Sequence, residues 1–268
     1  MKVNVLGCGG SSGVPALGGA DGYGQWGACD PTEPRNRRSR ASIFLRMDNG
    51  AGILIDTGPD LRAQLLGQGI STFESVIYTH AHADHVAGID ELRGINRQIG
   101  KAINAYGTSE VLGELQERFG YVFKPNTTPY FFRAALDAQP VVLRQSVNIG
   151  GYAFTLFEQN HGYVTSTGIR CGAFAYSTDV VELPEESVEC LRGLHTWMVD
   201  CFQKTPHGAH AWLDRVLEWK ALIQPERIIL THMGADMDWG WMQHNLPQGM
   251  EAAWDGMSFE LPDPLHAL

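Results

Sequence analysis

The sequence predicts a mixed α/β domain, and three observations carry that expectation. Short apolar, β-prone runs recur along the chain and end repeatedly in a carboxylate or an imidazole, at Asp56, His80, His161, Asp179 and His232. Helical patterns separate several of these runs, the arrangement in which open sheets collect chemistry along one rim. Apolar content of 44% with 19% charged residues over 268 positions is that of a globular chain able to bury a real core. No linker or low-complexity segment interrupts it, so a single domain spanning 1–268 is expected.

Taken in order, Lys2–Leu6 alternates as a strand and runs into the glycine-rich turn Gly7–Pro15. No Lys-Ser/Thr follows the glycines, as a phosphate loop requires, and no helix pattern follows, as a dinucleotide fingerprint requires. Small residues that let backbone pass close under a site are the preferred reading. Residues 16–40 form a long irregular segment, and such loops tend to be functional. Its basic cluster, Arg35, Arg37, Arg38 and Arg40, offers guanidinium forks for a substrate phosphate; the alternative is a solvated or salt-bridged face. Arg37 and Arg38 are the candidate substrate contacts. Ala41–Met47 and Gly52–Ile55 read as a hairpin around Asn49-Gly50, and a helix opens after Pro59. Asp56, at the end of the second strand, is either a helix cap or an acceptor for the N–H of a metal-bound imidazole.

Ser75–Tyr78 is a short strand, and Val86–Arg93 reads as a helix. Ala102–Tyr106 follows as a strand, Ser109–Arg118 as a helix and Pro125–Arg133 as an aromatic loop or hairpin. Val141–Leu143 and Tyr152–Gln159 return to strand character, the latter leading to His161. Gly172–Ser177 closes at Asp179, and Pro184–Leu194 is a helix with an acidic first turn suited to its dipole. Thr196–Val199 ends at Asp200. His207 and His210 lead into the amphipathic helix Ala211–Ile223, with His210 at its start. Arg227–Thr231 ends in Thr-His, repeating Thr79-His80, and a final strand pair lies around Met250 and Met257.

Global properties exclude several roles. A formal net charge of -10 argues against a nonspecific nucleic-acid or anionic-membrane surface, which calls for clustered excess Lys and Arg. No run approaches the roughly 18 to 20 apolar residues of a membrane span, and the first residues already read as a strand, so a cytoplasmic location is expected. Five cysteines with no Cys-x-x-Cys pair fit reduced thiols better than a disulfide framework.

The densest chemistry lies in Thr79-His80-Ala81-His82-Ala83-Asp84-His85. Imidazole and carboxylate ligate first-row divalent metals, and an extended segment would place His80, His82 and Asp84 on one side and His85 elsewhere. His80 and His82 are accordingly assigned to one ion, Asp84 and His85 to a second. With the strand-end ligands the count closes: His80, His82 and His161; Asp84, His85 and His232; and Asp179 between them.

The His-x-His-x-Asp-His run, with His161, Asp179 and His232 in that order, resembles the metallo-β-lactamase superfamily over most of the chain. Gly9-Gly-Ser-Ser-Gly-Val-Pro15, Arg37-Arg38, Thr231-His232 and Asn245-Leu-Pro-Gln-Gly-Met250 with Trp254-Asp-Gly-Met257 are similar to PhnP-type phosphodiesterases, relatives of tRNase Z that hydrolyse cyclic phosphates. The resemblance implies an αββα sandwich of two mixed sheets flanked by helices, with two divalent ions at one edge, zinc or manganese, iron also fitting. It implies a phosphodiesterase that attacks small cyclic phosphodiesters with metal-activated hydroxide, with Asp84 and His210 as catalytic residues. His210 matches the family's general acid, and His207 is a weaker competitor. PhnP-type proteins also carry a structural zinc on a cysteine cluster and a later histidine. Here only Cys29 stands in the early loop and Gly234-Ala235 at the later position, so no structural zinc is expected. The expected partner is a small phosphodiester rather than a nucleic-acid polymer or a membrane, and a homodimer is compatible with the sequence. Competing readings are a lactone or thioester hydrolase on the same metals, a mononuclear-iron sulfur dioxygenase, and a metal-stabilised binding protein.

Overall fold

Alternation organises the first sheet. In the computed structural model, which describes residues 1–124 and 135–262, Val3 and Val5 lie on strand β1 (Lys2–Gly7), Ile43 and Leu45 on β2 (Ser42–Arg46), and Ile53 and Ile55 on β3 (Gly52–Ile55). All six join one core, while the intervening Phe44 and Leu54 join another. Period-two side chains thus feed two cores from one sheet. β4 (Ser75–Ile77), β5 (Ile103–Gly107) and β6 (Leu136–Pro140) extend this sheet.

The second sheet comprises β7 (Ser146–Ile149), β8 (Tyr152–His161), β9 (Val164–Cys171), β10 (Phe174–Ser177), β11 (Thr196–Asp200), β12 (Arg227–Thr231) and β13 (Met250–Ala252). β14 (Ser258–Glu260) returns to the first, giving orders β14-β1-β2-β3-β4-β5-β6 and β13-β12-β11-β10-β9-β8-β7. Each sheet is mixed, antiparallel on one half and parallel on the other. Parallel neighbours need crossovers, which helices supply. Leu61–Gly67 and Ser109–Arg118 pack Leu61, Leu65, Leu112 and Leu115 on the outer face of the first sheet. Leu213–Ile223 packs Val216, Trp219 and Ile223 beside the second. The result is the αββα sandwich. β3 and β4 run parallel, as do β10, β11 and β12, and β8 shares the direction of β10 because both oppose β9. Their C-terminal ends therefore supply the rim on which the site is built.

Several local expectations differ from the structure. The helix expected over Val86–Arg93 is broken into the turn Ala83–Val86, a 3-10 turn Ile89–Glu91 and the helix Leu92–Ile99. The break follows a diverted hydrogen bond: Gly88 donates its N–H to the Thr57 carbonyl at 2.8 Å instead of back along a helix, and glycine is required there because a Cβ would collide with the Gly58 carbonyl oxygen. Val141–Leu143 is not a strand but part of the connection between β6 and β7. The helix after Pro184 stops at Cys190. β13 and β14 do not pair with each other; they extend different sheets, β13 on β12 and β14 on β1. β9, absent from the sequence reading, pairs with β8 and β10. The aromatic segment Pro125–Arg133 lies outside the described residues.

Candidate metal centre

Three side chains at the rim sit on a left-handed backbone: Asp56 at φ 62°, Asp179 at φ 53° and His232 at φ 53°. Each follows shortly after a parallel strand, β3, β10 or β12, and such strained non-glycine conformations persist only where surrounding contacts enforce them. Asp179 is enforced by the Ser166 hydroxyl, which donates to its carbonyl at 2.6 Å. His232 is enforced by its neighbour, since Met233 N–H donates to the Cys8 carbonyl at 2.8 Å. Here the glycine-rich turn has its use. A Cβ on Gly9 would stand 2.9 Å from the Ser39 carbonyl oxygen, and one on Gly10 would stand 2.7 Å from the Phe202 ring.

The motif itself is extended only as far as His82, at φ -66° and ψ 150°; Asp84 and His85 lie on the helical turn Ala83–Val86. The expectation of one continuous extended segment, with Asp84 beside His80, is therefore corrected. The turn buries His85 completely and leaves Asp84 partly open.

The sequence-assigned ligands meet in two clusters that share Asp179: His80, His82, His161 and Asp179, and Asp84, His85, Asp179 and His232. Asp179 Oδ1 is 3.5 Å from His161 Nε2 and 3.8 Å from His80 Nε2. Its Oδ2 is 3.0 Å from His85 Nε2 and 3.3 Å from His232 Nε2. His161 Nε2 lies 3.3 Å from His82 Nδ1, and Asp84 Oδ2 lies 3.3 Å from His85 Nε2 and 3.7 Å from His232 Nε2.

The imidazoles are aimed from behind. With its Nδ1 proton, His85 donates to Asp56 Oδ2 at 2.8 Å. The Thr79 hydroxyl donates to the same oxygen at 2.7 Å and stands 3.0 Å from His80 Nδ1, from which it can accept. Asp56 thus takes the acceptor role and orients one imidazole directly and another through Thr79; it is not the helix cap, since Asp60 holds the N-cap position, without a capping side-chain hydrogen bond. His161 Nδ1 donates to the Ala209 carbonyl at 2.7 Å. These bonds leave the Nε2 atoms facing inward, and among the described residues His80, His85 and His232 Nε2 are buried without a hydrogen-bond partner. Orphaned buried acceptors converging on a carboxylate fit a cation.

Electrostatics agree. Burial opposes ionisation of Asp179, but His232, His85 and His80 outweigh it and hold its carboxyl well below the usual range. Burial likewise opposes ionisation of Asp84, and the nearby imidazoles of His232 and His85 overcome it. Burial would depress His85 and His232, yet Asp179, with Asp56 at His85 and Asp84 at His232, draws both upward. His80, buried among imidazoles, is pushed well down. The carboxylates demand positive charge, which divalent metals supply while leaving every imidazole neutral.

A third grouping joins Asp200, His210 and His232. The imidazole Nδ1–H of His210 donates to Asp200 Oδ2 at 3.0 Å, and Val180 N–H donates to the same oxygen at 3.1 Å. The His210 ring lies against both Phe202, at 5.0 Å, and His232, at 4.8 Å, and those two rings also approach each other, at 6.3 Å. His210 lies not on the helix but on the preceding loop, since the helix begins at Leu213. Phe202 N–H donates to the Ala211 carbonyl at 2.9 Å and Leu213 N–H to the Gln203 carbonyl at 3.1 Å, which keeps the loop extended. Asp200 and Thr79 are the functional residues that sequence reasoning missed. The signal for Asp200 is the one used elsewhere, a strand ending in a carboxylate.

The candidate substrate residues fall outside the ligand clusters. His207 Nδ1 accepts from the N–H groups of Ala209 and His210, both at 3.2 Å, so it shapes the loop that presents His210. Burial and neighbouring His210 keep its imidazole below its ordinary value, in the neutral form that accepts. Arg37 is exposed and stacks over Trp26 at 4.9 Å. Arg38 is only 2% exposed, which does not fit a substrate contact. Its guanidinium donates to the carbonyls of Met237 at 2.6 Å and Gly234 at 3.2 Å, to Asn36 Oδ1 at 3.1 Å and towards Cys29 Sγ at 3.9 Å. It pins the early loop to the segment following His232. Arg38→Ala is expected to lower unfolding free energy by about 3 kcal/mol, the scale of buried acceptors left unpaired by loss of a charged donor. Arg38→Lys should recover little, because an ammonium lacks the fork. Denaturant unfolding measures both, and wild-type stability in Arg38→Lys would refute the pinning role.

Comparison with known proteins places this geometry. The family described as Beta-lactamase superfamily domain matches residues 52–233, a stretch that holds all seven ligand candidates. A crystal structure of a diphosphatase from the PhnP family is similar at a TM-score of 0.85 and 30% identity, covering 97% of each chain. The short form of human tRNase Z is similar at a TM-score of 0.71 and 17% identity, covering 98% of this chain and 100% of that one. By sequence, an octanoyltransferase of Porphyromonas gingivalis is 28% identical over 234 residues, 87% of this chain but 46% of that protein. The chain thus spans less than half the length of that relative.

Proposed function

Since the chain belongs to the beta-lactamase superfamily domain family and is a metal-dependent hydrolase of that fold, we propose that it is a two-metal phosphodiesterase acting on small, cyclic phosphodiesters. The observation that carries this reading is Asp179, whose two carboxylate oxygens each face a separate set of imidazoles. His80, His82 and His161 would hold one ion, Asp84, His85 and His232 the other, with Asp179 shared. Divalent ions in such a site supply Lewis acidity and an activated water.

The remaining work falls to the chain. Asp84 has a side chain 13% exposed against 2% for Asp179, so it is the ligand carboxylate open enough to orient an attacking water. Asp56 and Thr79 fix the ligand imidazoles. His210, aligned by Asp200 through Nδ1, keeps Nε2 to protonate the departing alkoxide, which is otherwise a poor leaving group. A positioned acid beside the metal cluster supports phosphodiesters over lactones and thioesters.

The test is a substrate panel on metal-analysed protein: bis(4-nitrophenyl) phosphate, 2',3'-cyclic nucleotides, a lactone and a thioester. Phosphodiesters are expected to lead in kcat/KM by roughly 100-fold, about 3 kcal/mol of differential transition-state binding. A full two-metal load with no phosphodiester hydrolysis would sink the proposal.

A further inference from the structure

A cavity of about 800 Å³ opens beside the metal cluster and shares His80 and His82 with it. Its volume lies within the range of small-molecule sites and far exceeds what one phosphate fills. Two features of its lining point to what fills the rest.

The first is apolar. Tyr163, at the turn just beyond His161, is 101% exposed, Val142 is 62% exposed and Val164 is 39% exposed, and all three line this cavity. A fully solvated aromatic ring two residues from a ligand imidazole is a face on which a flat group can stack. The second is charge. Among the described residues, Glu110, Glu114 and Glu158 bring three carboxylates to the lining, against one guanidinium, that of Arg144. Arg144 is also drawn to Glu186, at 4.0 Å. Outside the metal ligands, then, the cavity carries excess negative charge among the described residues. Carboxylates accept hydrogen bonds from hydroxyl groups, but a second phosphate in the same space would meet like charge within a Debye length of roughly 8 to 10 Å.

We infer that this cavity takes the arm of the substrate that carries no scissile bond, and that this arm is an aromatic, hydroxyl-bearing group without a second phosphate. A nucleoside has that chemistry, and a phosphorylated sugar does not. The inference rests on the phosphodiesterase reading and narrows it: the metals take the one phosphate, Tyr163 stacks on the base, and the glutamates meet the hydroxyls and repel further anions.

Binding tests this without hydrolysis. Manganese-loaded protein is titrated calorimetrically with adenosine 3'-monophosphate, adenosine 3',5'-bisphosphate and inorganic phosphate, and the set is repeated on Glu110→Gln/Glu114→Gln and on Tyr163→Ala. The monophosphate is expected to bind about 10-fold more tightly than the bisphosphate, and the double Gln variant to narrow that ratio to about 3-fold or less. Tyr163→Ala is expected to weaken the monophosphate about 10-fold, the scale of one base–aromatic stack, with inorganic phosphate unchanged. Equal or tighter binding of the bisphosphate, or a preference that the Gln pair leaves unaltered, would overturn the inference. An unaltered monophosphate affinity in Tyr163→Ala would overturn the stacking role. A binding preference without diester hydrolysis counts against the phosphodiesterase reading alone; diester hydrolysis without the preference counts against this inference alone.

Discussion

Asp179→Ala is expected to strip the protein of bound metal and to lower phosphodiester hydrolysis by about 1,000-fold or more, some 4 kcal/mol of barrier. No other candidate ligand reaches both clusters. Oδ1 faces His161 and His80, and Oδ2 faces His85 and His232. Removing the carboxylate leaves the first cluster with three imidazoles and no anionic ligand, and the second with Asp84 as its one carboxylate. His161→Ala is the informative contrast. It subtracts a ligand from the first cluster only, so metal content should fall towards one ion per chain rather than none. Elemental analysis of the purified variants, paired with kcat/KM on bis(4-nitrophenyl) phosphate, reads both effects. Wild-type metal content in Asp179→Ala would mean that the carboxylate is not a shared ligand, and a wild-type content of one ion per chain would sink the two-metal assignment.

The difference between these two variants also marks what local sequence conveys. His80, His82, Asp84 and His85 are legible because they crowd one short segment after a strand. His161, Asp179 and His232 are legible because each repeats that placement at a strand's end. The fold class follows from the same alternation of strands and helices. What local pattern cannot convey is which distant partner meets a side chain. Arg38 reads as one of four arginines in a basic cluster, yet its carbonyl partners, Gly234 and Met237, lie 196 and 199 residues further along the chain. Only the fold reveals that it is buried. β9 escapes detection for a related reason. Its polar Ser166 and Thr167 are buried where β9 pairs with β8, and Ser166 accepts from Gln159 while donating to the Asp179 carbonyl. Hydrogen bonding satisfies what hydrophobicity does not signal. Gly88 shows the limit for helices: periodicity through Val86–Arg93 is sound, but the Gly88 N–H is given to the distant Thr57 carbonyl, which interrupts the helix.

His210→Ala should slow hydrolysis of a diester with an alkyl leaving group by roughly 100- to 10,000-fold, the range of a positioned general acid, with both metals retained. Retention is the discriminating half of the prediction, because His210 also stands in a potential ligand group with Asp200 and His232. Two observations favour the acid role. Its Nδ1–H is already given to Asp200 Oδ2, which leaves Nε2 as the nitrogen free for substrate, and its ring packs against both Phe202 and His232, which limits its rotation. Leaving-group dependence separates the alternatives. A 4-nitrophenolate departs without a proton, so the deficit of His210→Ala should shrink to about 10-fold or less on bis(4-nitrophenyl) phosphate. Asp200→Asn should reproduce the same pattern at smaller amplitude, about 10- to 100-fold on the alkyl diester, because it weakens the orientation of the imidazole without removing it. An equal deficit on both leaving groups, or loss of metal in His210→Ala, would make His210 a structural residue or a ligand and leave the alkoxide to be protonated by solvent.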